Sequence, residues 1–161
     1  MSTLKANSIQ AATGTTVNLA SGQTFKANTI AGTTTAGSIT VQGEGTATTN
    51  LQQGLVKAWI HFNGTSNAIL DSLNHSALTD NGTGNYTMNI TNDMANVNYC
   101  ATVNAKLWSL GSNEYRQTTV DTFAAGTIKV QSLEPYLGGG SADLRQVDGD
   151  SNCMQITGDL A

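Results

Sequence analysis

Apolar and polar positions alternate through the stretch Val56 to Asn63. Val56, Ala58, Ile60 and Phe62 fall on one face, and Leu55, Lys57, Trp59, His61 and Asn63 on the other. A period of two predicts a strand with one buried face. Asn63-Gly64 ends it as a turn, since both residues tolerate positive φ. The same alternation returns at Tyr86, Met88 and Ile90, with Thr87, Asn89 and Thr91 pointing outward, directly after the turn sequence Asp80-Asn81-Gly82-Thr83-Gly84-Asn85. A third run from Val97 to Trp108, with Val97, Tyr99, Ala101 and Val103 on one face, reads as the longest strand. Shorter signals at 68–73 and 76–79 read as an edge, and others at 114–122, 127–133 and 152–157 complete seven or eight strands. Strands at this spacing, separated by turn residues, predict an antiparallel β-sandwich over residues 51–161. Gly138-Gly139-Gly140-Ser141 opens a loop expected to reach Ser151, and Leu51 to Leu55 is expected to make one helical turn.

The pattern thins before residue 51. Leu4-Lys5-Ala6-Asn7-Ser8-Ile9 returns twenty-one positions later as Phe25-Lys26-Ala27-Asn28-Thr29-Ile30. Each copy leads through Gly-Thr-Thr to a second weak strand signal, Val17 and Leu19 in one and Ile39 and Val41 in the other. A unit of two short strands cannot bury its apolar side alone. Burial within one chain cannot offset a backbone-ordering cost of about 1–2 kcal/mol per residue. Two outcomes remain for residues 1–50: a Thr/Gly-rich linker, or a stalk ordered by winding with identical chains. The alternation and the repeat favour the second. In an intertwined trimer Ile9, Val17, Leu19, Phe25, Ile30, Ile39 and Val41 would meet their copies at the axis, and Trp59 on the outer face of the first head strand would join the same interface.

Composition narrows the function classes. Of 161 residues only 11% are charged, with a net charge of −4, so no basic surface exists to hold a phosphate backbone and nucleic acid is not an expected partner. No apolar run reaches the ~20 residues a membrane helix needs, and Met1 to Lys5 leads into no signal-peptide core, so neither membrane insertion nor secretion is expected. Cys100 and Cys153 are too few for a zinc site or a disulfide framework. They are expected as free thiols, buried or half-buried.

Motifs with chemistry are sparse. His61 and His75 have no cysteine or carboxylate at ligand or relay spacing, and neither a nucleophile elbow nor a phosphate loop occurs. Asp148, Asp150 and Asn152 take the first three positions of a calcium loop. Cys153, however, stands where the loop needs glycine, and Asp159 where it needs the closing glutamate. A solvated acidic turn is the expectation, with no metal and no cofactor. Asp121 and Glu134 are the carboxylates that could form a glycosidase pair, although nothing in the sequence brings them together. Five Asn-x-Ser/Thr triplets follow from composition rather than glycosylation. Trp108, Tyr115 and Tyr136 are aromatics able to stack on sugar rings, and core or interface packing is the competing role for each.

Three stretches taken together resemble a known module. They are Lys57-Ala58-Trp59-Ile60-His61-Phe62-Asn63-Gly64-Thr65, then Asp71-Ser72-Leu73-Asn74, then Asp80-Asn81-Gly82-Thr83-Gly84-Asn85-Tyr86-Thr87-Met88-Asn89. Asp93-Met94-Ala95 and Asn98-Tyr99-Cys100-Ala101 extend the match. The sequence is similar to a C-terminal module of tail-fiber and other virion structural proteins of cyanophages and other aquatic phages. The opening Ser2 to Gln10 also looks like the start of such proteins. His61, Leu70 and Cys100 depart from the family pattern. The resemblance implies an all-β homotrimer: an N-terminal intertwined β-repeat stalk or virion-anchoring segment (1–50) followed by a sandwich knob (51–161). It implies a non-enzymatic short tail fiber, made in the host cytoplasm, located on the virion and involved in host-surface attachment. Its partners would be its own copies, other phage structural proteins, and a bacterial surface glycan or lipopolysaccharide. A capsid decoration, head fiber or tail adaptor is the alternative role, and a glycan-degrading tailspike a minor one.

Overall fold

The computed structural model of the chain describes residues 21–32, 39–42, 45–106, 117–136 and 143–161. The chain divides into two compact units, Met1–Ala31 and Gly32–Ala161. In the first unit, the described residues 21–31 form neither strand nor helix beyond a turn at Ser21-Gly22, and Phe25 and Ile30 lie exposed. The strand expected over Phe25 to Ile30 is therefore absent: within a single chain it has no ladder to join and no apolar surface to cover it. Ile9, Val17 and Leu19 lie outside the described residues.

The second unit is built from antiparallel strands. A short hairpin, β1 (Thr40–Gln42) with β2 (Thr48–Asn50), leads into one helical turn, α1 (Leu51–Gly54). The turn starts where Asn50 leaves extended backbone and its side chain accepts the Gln53 N–H at 3.1 Å, which satisfies a donor the helix itself cannot. Ile39 is half-buried and Val41 exposed beside this hairpin.

One sheet runs in the order β4 (Ala68–Leu73), β3 (Val56–Asn63), β11 (Asn152–Thr157), β7 (Cys100–Ala105). The other holds β5 (His75–Asp80), β6 (Asn85–Ile90) and β9 (Thr127–Tyr136), with β8 (Gln117–Phe123) and β10 (Asp143–Gln146) also pairing with β9. Their inner faces supply one core: Ala58, Ile60, Phe62, Met154 and Ile156 from the first sheet, and Tyr86, Met88, Ile90, Ile128 and Val130 from the second. These are the positions at which period-two alternation puts an apolar side chain. Phe62 and Tyr86 meet edge to face at 4.9 Å in the middle of it.

As expected, β4 and β5 are edge strands. They form one ribbon that changes sheet at Asn74, where φ is 52°. Three expectations need correction. The longest strand is β9, of ten residues, and not the run from Val97. That run begins in a turn, because the Asn98 N–H donates to Asn96 Oδ1 at 2.7 Å, and Val97 is exposed. The glycine loop does not extend to Ser151 unbroken, since β10 lies inside that span and pairs with Leu133 to Tyr136. Pro135 is tolerated within β9 because β8 ends opposite Leu133, leaving β9 with a partner on one side only at that point.

A candidate functional site at the loop-rich end

The register gives the sandwich two unlike ends. At one, α1 delivers the chain into β3, and the segments 91–99, 124–126 and 157–161 close over it. There Met94 N–H donates to Ala125 O at 2.9 Å, Ala95 N–H to Asp159 O at 2.9 Å and Ala161 N–H to Asp93 O at 2.9 Å. At the other end stand the turns 64–67, 81–84 and 147–151. The described ends Lys106 and Gln117, and Tyr136 and Asp143, flank the two longer connections at this same end. Trp108 and Tyr115 belong to one of these connections and lie outside the described residues, and Tyr136 is the last residue of β9.

The acidic turn 148–152 ties this end together. The Tyr86 hydroxyl donates to Asp148 Oδ1 at 2.6 Å, and the Gly84 N–H donates to the same oxygen at 2.7 Å. Thr65 Oγ1 donates to Asp150 Oδ1 at 2.7 Å, His61 Nε2 and Ser151 Oγ share a hydrogen bond of 2.9 Å, and Asn152 Nδ2 donates to Gly149 O at 2.7 Å. The three positions with calcium-loop spacing thus point to three different neighbours rather than to one centre. Among the described residues, no group of three His, Cys, Asp or Glu side chains converges. Replacing Tyr86 by Phe removes the donor and keeps the ring. A hydrogen bond to a charged acceptor is worth about 1.5–3 kcal/mol, so the variant is expected to lose stability in that range. An unchanged urea midpoint would show that the bond contributes nothing.

Two glycines make the clamp possible. Gly84 has φ of 64°, and a Cβ there would stand 2.6 Å from Ser132 O and from Val147 N. It sits where β6 ends and β10 takes over the same edge of β9: Ser132 N–H donates to Gly84 O at 2.7 Å and Val147 N–H to Ser132 O at 3.0 Å. Gly64 is buried against the Tyr86 hydroxyl, and its N–H donates to Gly149 O at 2.7 Å.

Charged side chains at the strands are paired. Glu134, almost fully buried, accepts from Arg145 Nε at 2.6 Å across the β9–β10 register, and Asp121 pairs with Lys129 at 2.9 Å. The Asp121 and Glu134 positions are separated by about four residues along β9, or roughly 13 Å, so the glycosidase pair considered from sequence is not assembled.

The outer face of the β4–β3–β11–β7 sheet carries cross-strand rows. Leu73, Trp59, Gln155 and Thr102 form one; Asp71, His61, Cys153 and Asn104 form the next. Trp59 is half-buried beside the exposed Leu73, and Ile69 and Leu70 are exposed nearby on β4. Cys100 and Cys153 are free and both exposed, which corrects the buried or half-buried expectation. Their strands are buried on one face only, and alternation puts both thiols on the other. What desolvation does reach Cys153 raises its thiol pKa. At the sheet-switching corner, partial burial lowers the pKa of His75.

The sequence showed the residue types of this end but not their meetings, since Tyr86 and Asp148 are 62 positions apart. The signal that was present lay in the glycines Gly64 and Gly84, whose neighbours in sequence do not explain them. No helix among the described residues is long and apolar enough to cross a membrane. No protein-family model, no curated protein and no solved structure matches the chain.

Proposed function

We propose that the chain is a non-enzymatic fiber protein of a phage virion, a homotrimer whose sandwich knob attaches the particle to a bacterial surface. The observation that carries the reading is the separation of the two ends. The chain reaches the sandwich through α1 at one of them, while the turns and both longer connections collect at the other. A scaffold that gathers its variable loops opposite its point of attachment suits contact with an outside surface. Weak contacts of this kind gain strength when three copies act together. Self-association is supported by Leu73, Ile69 and Leu70, exposed next to Trp59 on a sheet edge, and by a Thr/Gly-rich N-terminal repeat with little to bury in one chain. The resemblance to aquatic-phage tail-fiber modules points the same way.

The test is direct. The full chain is expected to have the mass of three copies in solution, to bind host cells, and to reduce phage adsorption when added in advance. Density for the knob buried against other virion proteins in particle images would replace this reading with that of a decoration or adaptor protein. Release of reducing ends from host polysaccharide would overturn the non-enzymatic part. Trp59→Ala is expected to weaken the trimer, seen as a lower mass on dilution. A trimer of undiminished stability would remove Trp59 from the interface.

A further inference from the structure

A cleft of about 270 Å3 opens at the α1 end, opposite the acidic clamp. Its walls come from three places: Gln53 of α1, Asn98 and Tyr99 ahead of β7, and Thr157, Gly158 and Asp159 after β11. We infer that this cleft binds a neutral saccharide unit through Asp159, Asn98 and Gln53.

The chemistry of the walls selects the ligand. No lysine, arginine or histidine lines the cleft, so an anion would find no counter-charge. One carboxylate is a poor cage for a hard cation, which takes six to eight oxygens in the calcium case. The remaining groups are amides and a hydroxyl, each able to donate and accept, as sugar hydroxyls also are. Gln53 Nε2 donates to Asp159 Oδ2 at 3.1 Å. That bond fixes a planar carboxylate beside a planar amide, with Asp159 Oδ1 and Gln53 Oε1 facing similar demands from adjacent hydroxyls. Hydrogen bonds to an ionised carboxylate are the stronger kind, which makes Asp159 the principal anchor. Tyr99 adds no competing donor, because its hydroxyl donates to Ala124 O at 3.0 Å and to Thr127 O at 3.1 Å. The volume is below the ~300–1,000 Å3 of sites for drug-sized ligands, which limits the occupant to one or two rings.

The walls are also held in place. Gly158, at φ of 152°, passes so close to Tyr99 that a Cβ would stand 2.9 Å from the tyrosine Cβ. Asp159 is fixed beyond it by the bond from Ala95 N–H to its carbonyl. Polar groups fixed in advance on strand ends lose little freedom on binding. The site lies at the end opposite the loops invoked for attachment, so it stands or falls independently of that reading.

The test is a titration of the uniformly 15N-labelled full chain with the methyl glycosides of glucose, galactose, mannose and N-acetylglucosamine. Sodium sulfate and calcium chloride serve as charged controls. At least one glycoside is expected to shift the signals of Gln53, Asn98, Thr157 and Gly158 together, while neither salt does. Asp159→Ala and, separately, Asn98→Ala are expected to weaken that binding by about tenfold or more. Asn98 is exposed, so its variant keeps the test valid even where Asp159→Ala disturbs the fold. Unshifted signals with all four glycosides, shifts with calcium instead, or undiminished binding by both variants would overturn the inference. Adsorption and trimer mass are read separately and do not depend on the result.

Discussion

Gly84→Ala is expected to destabilise the knob by at least about 3 kcal/mol. The new methyl meets backbone atoms, not side chains: Ser132 O and Val147 N at 2.6 Å, with Val147 O at 2.8 Å. Backbone in a sheet cannot swing aside as a side-chain tip can, so β6, β9 and β10 must separate locally. The left-handed conformation at φ of 64° adds about 1–2 kcal/mol for a residue with a Cβ. Separation would also pull the Gly84 N–H from Asp148 and so loosen the clamp that holds the loop-rich end. Gly82 supplies the control. Its φ of 114° is also unfavourable for alanine, but a Cβ there meets nothing within 4 Å. Gly82→Ala should therefore cost only the conformational part. Urea unfolding of the two variants side by side measures the difference. Equal midpoints would show that close approach at Gly84 is not what constrains it.

Phe62→Ala is expected to cost about 3–5 kcal/mol, the range for removing a buried aromatic ring. Phe62 is fully buried, stands on the central strand β3 and packs against Tyr86 across the sandwich. Truncation leaves a cavity between two sheets that are cross-linked by hydrogen bonds at both ends and so cannot collapse readily into it. Phe62→Leu refills most of the space and should cost well under half as much. A domain of this size has only about 5–15 kcal/mol to lose, so the alanine variant should show a clearly lower thermal midpoint. A loss below 1 kcal/mol would mean that the sheets close over the gap.

How far the sequence could be read depended on the range of each interaction. Strand positions with one apolar face were legible: Ala58, Ile60, Phe62, Tyr86, Met88 and Ile90 are all buried as alternation requires. The helical turn at Leu51 and the edge character of β4 and β5 were legible too. β10 was not, because Asp-Leu-Arg-Gln carries no apolar alternation and is a strand only through its pairing with Leu133 to Tyr136. Val97 misled because it continues the Tyr99 alternation, while a local Asn96 side-chain bond bends the backbone away. The exposed thiols were misread because strand membership does not say which face a cysteine takes. The clamp and the cleft were invisible for one shared reason. Each joins segments tens of residues apart, 62 between Tyr86 and Asp148 and 106 between Gln53 and Asp159, and no local pattern encodes such a meeting.

Asn74 bears on how the knob responds to pull. Because β4 and β5 are one ribbon with a single residue between them, the two sheets share a common margin and cannot slide past each other without bending there. Its side chain braces the bend, accepting from the Asn92 N–H at 2.8 Å while its Nδ2 donates to Asn92 O at 3.0 Å. Tension entering along β3 therefore passes sideways into β4, around this corner and into the second sheet, loading both layers in parallel. A sandwich stitched in this way should yield as a whole rather than peel strand by strand.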